Sequence, residues 1–142
     1  GTIINIDTLN KAIAAGAEFI VSPGTTDKMI DAAIATGVPL LPGVANPSDA
    51  MRLLEKGITE MKFFPAEAAG GIPMLKSIGA PIPQITFCPT GGVNQKNVKD
   101  YYSLSNVACV GGSWMCAANL VDAENWDEIT RLSAEAVQLA TA

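Results

Sequence analysis

The chain has 142 residues, of which 49% are hydrophobic and 16% are charged, which is enough for one globular domain with a sizeable core. Its net charge of −5 argues against nucleic acid or an anionic membrane as a partner, because long-range electrostatic repulsion would oppose both. The chain contains no histidine. A Ser-His-Asp triad, a Cys-His pair and a histidine-based zinc site are therefore excluded within it.

The three cysteines are odd in number and form no C-x-x-C pair, which favours a reducing compartment over a disulfide framework. We expect Cys88, Cys109 and Cys116 to behave as small core hydrophobes without a metal role. No apolar run approaches the roughly 18 residues of a membrane span, and the first residues lack the pattern of a signal peptide. These features predict a cytoplasmic protein with no membrane partner.

Short β-type runs alternate with helical segments along the chain. After a helix at 7–15, strands are predicted at 18–21, 39–41, 60–64, 84–88 and 107–110. Each strand precedes a helix, at 26–36, 47–56, 72–78, 95–104 and 125–139, with Ser22, Asn46, Asn94 and Asn125 as caps or turn formers. Regular alternation of this kind predicts an α/β fold with a parallel sheet.

Most of the predicted strands run into a Pro- and Gly-rich segment at their carboxyl ends. In a (β/α)8 TIM barrel this rim carries the active site. Five strands cannot close such a barrel, so we expect residues 1–142 to be the last five βα units of a single barrel domain whose first three strands are absent. A complete open α/β sheet is the alternative.

Lys62 stands out because it interrupts a predicted strand that is otherwise mostly apolar. Since successive side chains of a strand point to opposite faces, Lys62 shares a face with Phe64, while Met61 and Phe63 share the other. If the second face packs against helices, Lys62 points into a central cavity, where burial would disfavour the charged form of a lysine. A neutral amine can attack a carbonyl carbon, so Lys62 is a candidate Schiff-base nucleophile. A lysine that reaches solvent or pairs with Glu60 is the alternative.

The residues that follow Lys62 also suit a small-molecule site. Pro65 ends the strand and fixes a loop, and the ring of Phe64 offers a wall for a small planar substrate. Glu67 is either a general base or a solvated loop carboxylate, and the second interpretation is favoured.

Two glycine pairs, Gly91-Gly92 and Gly111-Gly112, follow the last two predicted strands. Glycine lets the backbone approach a ligand closely, and amides ahead of a helix present donors to an anion. Counted back from the C-terminal helix, these strands would be the seventh and eighth of a barrel, whose loops often bind phosphate. Tight turns without a ligand are the alternative.

Three motifs together resemble the 2-keto-3-deoxy-6-phosphogluconate (KDPG) and 4-hydroxy-2-oxoglutarate (KHG) aldolases: KFFPAE at 62–67, CPTGG at 88–92 and GGSW at 111–114. The resemblance covers essentially the whole chain. It implies a class I aldolase on a TIM barrel, usually a homotrimer, that needs neither metal nor cofactor. Such an enzyme cleaves KDPG to pyruvate and glyceraldehyde 3-phosphate in the Entner-Doudoroff pathway, and KHG to pyruvate and glyoxylate.

The resemblance also implies roles for individual residues. Lys62 corresponds to the Schiff-base lysine, and the phosphorylated keto acid would contact Thr2, Pro23, Phe64 and Thr90. The phosphate would be bound mainly by backbone amides of Gly91, Gly92, Gly111, Gly112 and Ser113. In the family, a glutamate that transfers protons and an arginine that holds the substrate carboxylate precede the region matched by Gly1 and Thr2, and no residue of this chain is assigned to either role.

Two further functions remain open at this point. A phosphate-binding barrel isomerase or synthase would use the glycine pairs in the same way, with Lys62 as an electrostatic group. A non-catalytic fragment that binds a sugar phosphate would retain the ligand without turnover.

Overall fold

The computed structural model of the chain describes residues 2–141, without the side chain of Thr141. Gly1, which the resemblance pairs with Thr2, lies outside the described residues. The strands are β1 (Ile20–Val21), β2 (Leu40–Leu41), β3 (Gly43–Val44), β4 (Glu60–Phe63) and β5 (Thr86–Pro89). The helices are α1 (Ile6–Ala14), α2 (Asp27–Thr36), α3 (Pro47–Glu55), α4 (Gly71–Gly79), α5 (Val98–Tyr102), α6 (Ala118–Asp122) and α7 (Trp126–Thr141), with a 3-10 turn at Trp114–Cys116.

All strand pairs are parallel, and neighbours in space follow the order of the chain. β1 pairs with β2, and β3 pairs with β4, which pairs with β5. Pro42 alone separates β2 from β3, and its carbonyl still accepts from the amide of Lys62 at 2.8 Å. Since proline has no amide hydrogen, it interrupts the ladder without ending the chain's extended course. The predicted α/β fold with a parallel sheet is confirmed.

The prediction of a regular strand at 107–110 was wrong. The segment runs parallel to β5 but forms only isolated bridges, between Phe87 and Val107 and between Thr90 and Gly111. Between these bridges the outer segment advances one residue more than β5 does. The extra residue disrupts the ladder in the manner of a β-bulge.

The helix starts follow capping chemistry. Asn46 caps α3 as predicted, because its side chain accepts from the amide of Asp49 at 3.0 Å. The prediction of a cap or turn former at Ser22 was wrong: Thr26 caps α2, and Ser22 is fully buried beside β2, its amide bonded to Leu41. The helix predicted at 95–104 shrinks to α5, because 94–97 form a turn held by asparagine side chains.

The two faces of β4 differ as the alternation predicts. Met61 and Phe63 are fully buried in the main core, with residues of α3, α4 and α5, whereas Lys62 is half-buried and Glu60 exposed. Cys88 of β5 shares the face of Lys62 and is also half-buried. The expectation that the cysteines are core residues was wrong for all three, since Cys109 and Cys116 are exposed.

A second, smaller core lies under α1 and α2. It contains Ile3, Leu9, Ile20, Met29 and Ala33. The two cores lie between the strands and the helices. The loops described below follow the carboxyl ends of the strands. Within residues 2–141, no helix has both the length and the apolar character needed to cross a membrane.

Candidate active site

Lys62 lies on the sheet face opposite the main core. Its Nζ atom is 4.5 Å from the centre of the Phe64 ring, a cation–π distance. Glu60 instead accepts from the hydroxyl of Thr59 at 2.9 Å, and none of the carboxylates of residues 2–141 forms an ion pair with Lys62. The proposed pairing of Lys62 with Glu60 was therefore wrong.

Pro23 and Phe64 line one cavity of about 170 Å³ at the carboxyl ends of β1, β3 and β4. Gly43 of β3 allows the loop after β1 to pack closely against it, since a Cβ atom there would lie 2.1 Å from the carbonyl oxygen of Pro23. Arg52 of α3 lines the same cavity and is held by Asp49 at 3.2 Å. The cavity thus combines an aromatic wall with one cationic side chain.

Thr2 occupies a different part of the sheet. It is exposed and forms a parallel bridge with Val21, on the side of β1 away from β2. Neither Thr2 nor Lys62 lines the cavity of Pro23 and Phe64 or the cavity between the two glycine pairs. Thr2 lies at the edge of the sheet, with β1 and the segment of β2 and β3 between it and β4.

The two glycine pairs come together. Thr90, Gly91, Gly92, Val93, Gly111, Gly112 and Ser113 line a single cavity of about 240 Å³, which we call the glycine cavity. Five of these seven residues are those that the resemblance assigns to phosphate, and Thr90 is the predicted substrate contact. The backbone amide of Thr90 donates to the carbonyl of Phe63 at 2.9 Å, so the cavity starts beside the strand of Lys62.

The glycine cavity differs from the prediction in its source of positive potential. The next helix, α5, starts six residues after Gly92, and Ser113 leads into the short 3-10 turn. The amide of Gly111 donates to Pro89 at 2.8 Å, whereas the amides of Gly91, Gly92, Gly112 and Ser113 have no carbonyl partner within residues 2–141. An anion bound here would therefore meet loop amides and not the N-terminus of a long helix.

Side chains of the following turn hold this loop. The carbonyl of Gly92 accepts from the side-chain amides of Asn94 at 2.9 Å and Asn97 at 3.2 Å. Gly92 has φ +82°, which favours glycine. The shape of the loop is therefore supported by hydrogen bonds from its own turn.

Glu67 is not the freely solvated carboxylate that the sequence favoured. Although the residue is exposed, its Oε1 atom accepts a hydrogen bond from the phenol of Tyr101, a fully buried residue of α5. Burial and, secondarily, this carboxylate raise the pKa of Tyr101 well above its usual range. Tyr101 was missed because a single sequence carries no signal that pairs two side chains 34 positions apart.

Cys88 is the register partner of Lys62 on β5. Burial, together with the neighbouring Cys109 thiol, raises the pKa of the Cys88 thiol to about 11, against a smaller opposing effect of Thr90 and Lys62. A thiol of this kind is a poor nucleophile at neutral pH. Cys88 is therefore not an activated nucleophile on this face.

Comparison with known proteins places these features in a family. The family model described as "Aldolase: KDPG and KHG aldolase" matches residues 1–132. The chain is 47% identical over 137 residues to a 2-dehydro-3-deoxy-phosphogluconate aldolase of Pseudoalteromonas atlantica, covering 96% of this chain and 64% of that protein. It is 44% identical over 138 residues to the KHG/KDPG aldolase of Escherichia coli K12, covering 97% of this chain and 65% of that protein.

Solved structures agree in fold. A KDPG aldolase of Legionella pneumophila, with pyruvate captured as a covalent carbinolamine intermediate, matches with a TM-score of 0.90 and 48% identity, over 92% of this chain and 63% of that one. A Zymomonas mobilis KDPG aldolase with 3-phosphoglycerate matches with a TM-score of 0.81 and 46% identity, over 83% and 56% of the two chains. The chain thus spans a little under two thirds of the length of most of these relatives. The chain belongs to the KDPG and KHG aldolase family.

Proposed function

We propose that this chain carries the nucleophile and the phosphate site of a class I aldolase that cleaves KDPG to pyruvate and glyceraldehyde 3-phosphate. The observation that carries the proposal is the glycine cavity, which gathers both glycine pairs and joins β4 through the bond from Thr90 to Phe63. A phosphate on loop amides would hold a sugar phosphate in a fixed position relative to Lys62.

The chemistry assigned to Lys62 accounts for each bond. The neutral amine attacks the C2 ketone to give a carbinolamine, which loses water and becomes a protonated imine. The C4 hydroxyl loses its proton to a base and the C3–C4 bond breaks. The electron pair of that bond forms the C2=C3 double bond, while the π pair of the imine moves onto nitrogen to give an enamine. The aldehyde leaves, C3 of the enamine takes up a proton, and hydrolysis releases pyruvate and Lys62. The pyruvate captured as a covalent carbinolamine in the Legionella relative supports the carbinolamine step.

The assignment of neighbouring residues follows their positions. Phe64 and Pro23 would pack against the pyruvyl end from the cavity they share, and Thr90 would contact the substrate at the mouth of the glycine cavity. Thr2 would join them only if the sheet curves so that its edge faces Lys62. We assign no base among residues 2–141, because Glu67 is bonded to Tyr101.

Curvature of the sheet is itself part of the proposal. We propose that the chain forms the last five βα units of one (β/α)8 barrel domain, which the chain-order parallel neighbours and the length of the relatives support. We further propose cleavage of KHG, a place in the Entner-Doudoroff pathway, a homotrimer and a cytoplasmic location, all on the family relationship.

The test is trapping with pyruvate and borohydride, followed by peptide mass spectrometry. We expect one reduced pyruvate adduct on Lys62, reduced in amount by the phosphorylated substrate. The exposed lysines Lys76, Lys96 and Lys99 serve as internal controls. An adduct spread over these residues, or none on Lys62 in the complete barrel domain, would contradict the proposal.

One observation favours a second candidate, in which Lys62 is an electrostatic group of a phosphate-binding isomerase or synthase. Its Nζ atom lies over the Phe64 ring, a position that suits an ammonium ion. The same trapping experiment separates the two functions, since an electrostatic lysine forms no covalent adduct.

A further inference from the structure

The loop after β4 and the loop after β5 are joined beyond the ends of their strands. The amide of Ala66 donates to the carbonyl of Thr90 at 2.8 Å, and the amide of Glu67 donates to the carbonyl of Gly91 at 3.1 Å. These bonds continue the pairing of Phe63 with Pro89. The loop that follows Lys62 therefore fixes the first residues of the glycine cavity.

The side chain of Glu67 adds a second connection. It lies against Gly92, where a Cβ atom would be 2.5 Å from the Cγ atom of Glu67 and 2.7 Å from its Cβ atom. A larger residue at 92 would displace either the glutamate or the loop. Glu67 thus contacts both glycines: its side chain packs against Gly92, and its backbone amide donates to the carbonyl of Gly91.

The carboxylate of Glu67 reaches α5, where it accepts a hydrogen bond from the phenol of Tyr101, a residue fully buried in the main core. Gly71 at the start of α4 leaves room for both groups, because a Cβ atom there would lie 3.3 Å from Oε1 of Glu67 and 3.4 Å from the hydroxyl oxygen of Tyr101. Because α5 follows directly on the turn at 94–97, Glu67 holds the glycine loop at both ends: its backbone amide bonds to Gly91, and its carboxylate bonds to Tyr101 of α5. A buried phenol with a raised pKa stays a donor throughout the neutral range.

We propose that Glu67 is a positioning residue that, through its bond to Tyr101, sets the distance between the glycine cavity and the loop after β4. By fixing this distance, Glu67 confers the preference for phosphorylated keto acids. This rests on the proposed aldolase function. The Glu67 carboxylate is used here as a hydrogen-bond acceptor and neither gives nor takes a proton in the reaction. Loss of this hydrogen bond should weaken the binding of substrates that carry phosphate and leave the binding of unphosphorylated ones unchanged.

The test compares five variants, each made in the complete barrel domain to which this chain is proposed to belong: Glu67→Ala, Glu67→Gln, Tyr101→Phe, the double variant Glu67→Ala/Tyr101→Phe, and Glu60→Ala. Glu60 is the matched control because it is an exposed glutamate of β4 whose carboxylate bonds only to neighbouring Thr59 in the described chain. The measurements are kcat and KM for the phosphorylated keto acid, the rate of borohydride trapping with pyruvate, and the Kd of inorganic phosphate.

We expect Glu67→Ala and Tyr101→Phe each to raise KM and the phosphate Kd about tenfold, the effect of losing one hydrogen bond to a charged group. The rate of pyruvate trapping should not change. Glu67→Gln should stay near the parent value, since its carboxamide oxygen still accepts from Tyr101. The double variant should be no worse than either single variant, because both remove the same interaction.

An unchanged phosphate Kd in Glu67→Ala would overturn the proposal. So would an equal loss of pyruvate trapping and phosphate affinity, since that pattern describes general destabilisation. If the unsubstituted barrel domain traps no pyruvate, the aldolase proposal fails on its own, and the phosphate Kd values of the same variants still test the role of Glu67.

Discussion

Thr90 and Gly111 face each other across the mouth of the glycine cavity, so close that a Cβ atom at position 111 would lie 2.5 Å from Oγ1 of Thr90 and 2.9 Å from its Cγ2 atom. The two residues form the outermost parallel bridge of the sheet. The side chain of Thr90 therefore keeps its position only because residue 111 has no side chain.

This contact predicts the effect of Gly111→Ala. The new methyl group must displace Thr90, so we expect a loss of about 1–3 kcal/mol in the free energy of unfolding and weaker binding of inorganic phosphate. Chemical denaturation and calorimetric titration measure the two effects. Gly24→Ala is the control, because a Cβ atom at Gly24 meets nothing within 4 Å. Equal phosphate affinity in both variants would contradict the prediction.

Lys62→Ala should abolish retro-aldol cleavage and pyruvate trapping while leaving the fold intact. The side chain is half-buried and lies over Phe64, so its loss should change the free energy of unfolding by only about 0.5–1 kcal/mol. Steady-state kinetics and thermal denaturation check both parts. Lys76→Ala, an exposed lysine of α4, is the control. Substantial residual turnover in Lys62→Ala would remove Lys62 from the mechanism.

Stability should fall in alkaline solution. Cys88 has a folded pKa of about 11 and that of Tyr101 is also raised, so the folded chain holds these protons more tightly than the unfolded chain does. Their contribution is complete below the unfolded thiol value of about 8.5 and is lost as the pH rises through the folded pKa. We expect urea denaturation from pH 8 to 11 to show this loss, with a shallower slope for Cys88→Ala. A flat or rising profile would be inconsistent with the burial of these groups.

Asn46→Ala should lower the free energy of unfolding by about 1 kcal/mol, the usual effect of removing an N-terminal cap. The cap holds the first turn of α3, and Asp49 and Arg52 of that helix line the cavity of Pro23 and Phe64. Chemical denaturation measures the effect, and Ser48→Ala, an exposed position of the same turn, is the control. Equal stability of the two variants would show that Asn46 does not cap α3 in solution.

The helices and strands could be predicted where one periodicity dominated. The alternation in β4 correctly separated the core residues Met61 and Phe63 from Lys62, because burial on one face requires a period of two. The segment 107–110 has the same apolar composition as a strand. Its irregular register with β5 depends on the backbone beside it, which composition does not describe.

Part of the candidate site could be predicted from the order of the strands. Glycine pairs after neighbouring parallel strands must meet at one edge, so the glycine cavity follows from order alone. The contact between Glu67 and Tyr101 depends on the packing of α5 against the loop after β4, and no local pattern fixes it. The sequence likewise did not show which residue caps α2, since both Ser22 and Thr26 precede the helix and only the structure identifies Thr26 as the cap.

The two asparagine side chains that hold the carbonyl of Gly92 have a further consequence for binding. A loop that is ordered by its own turn loses its conformational entropy when the chain folds, and little remains to be lost when an anion arrives. Phosphate recognition at the glycine cavity should then be rapid and limited by the desolvation of the anion, since the loop need not rearrange around it.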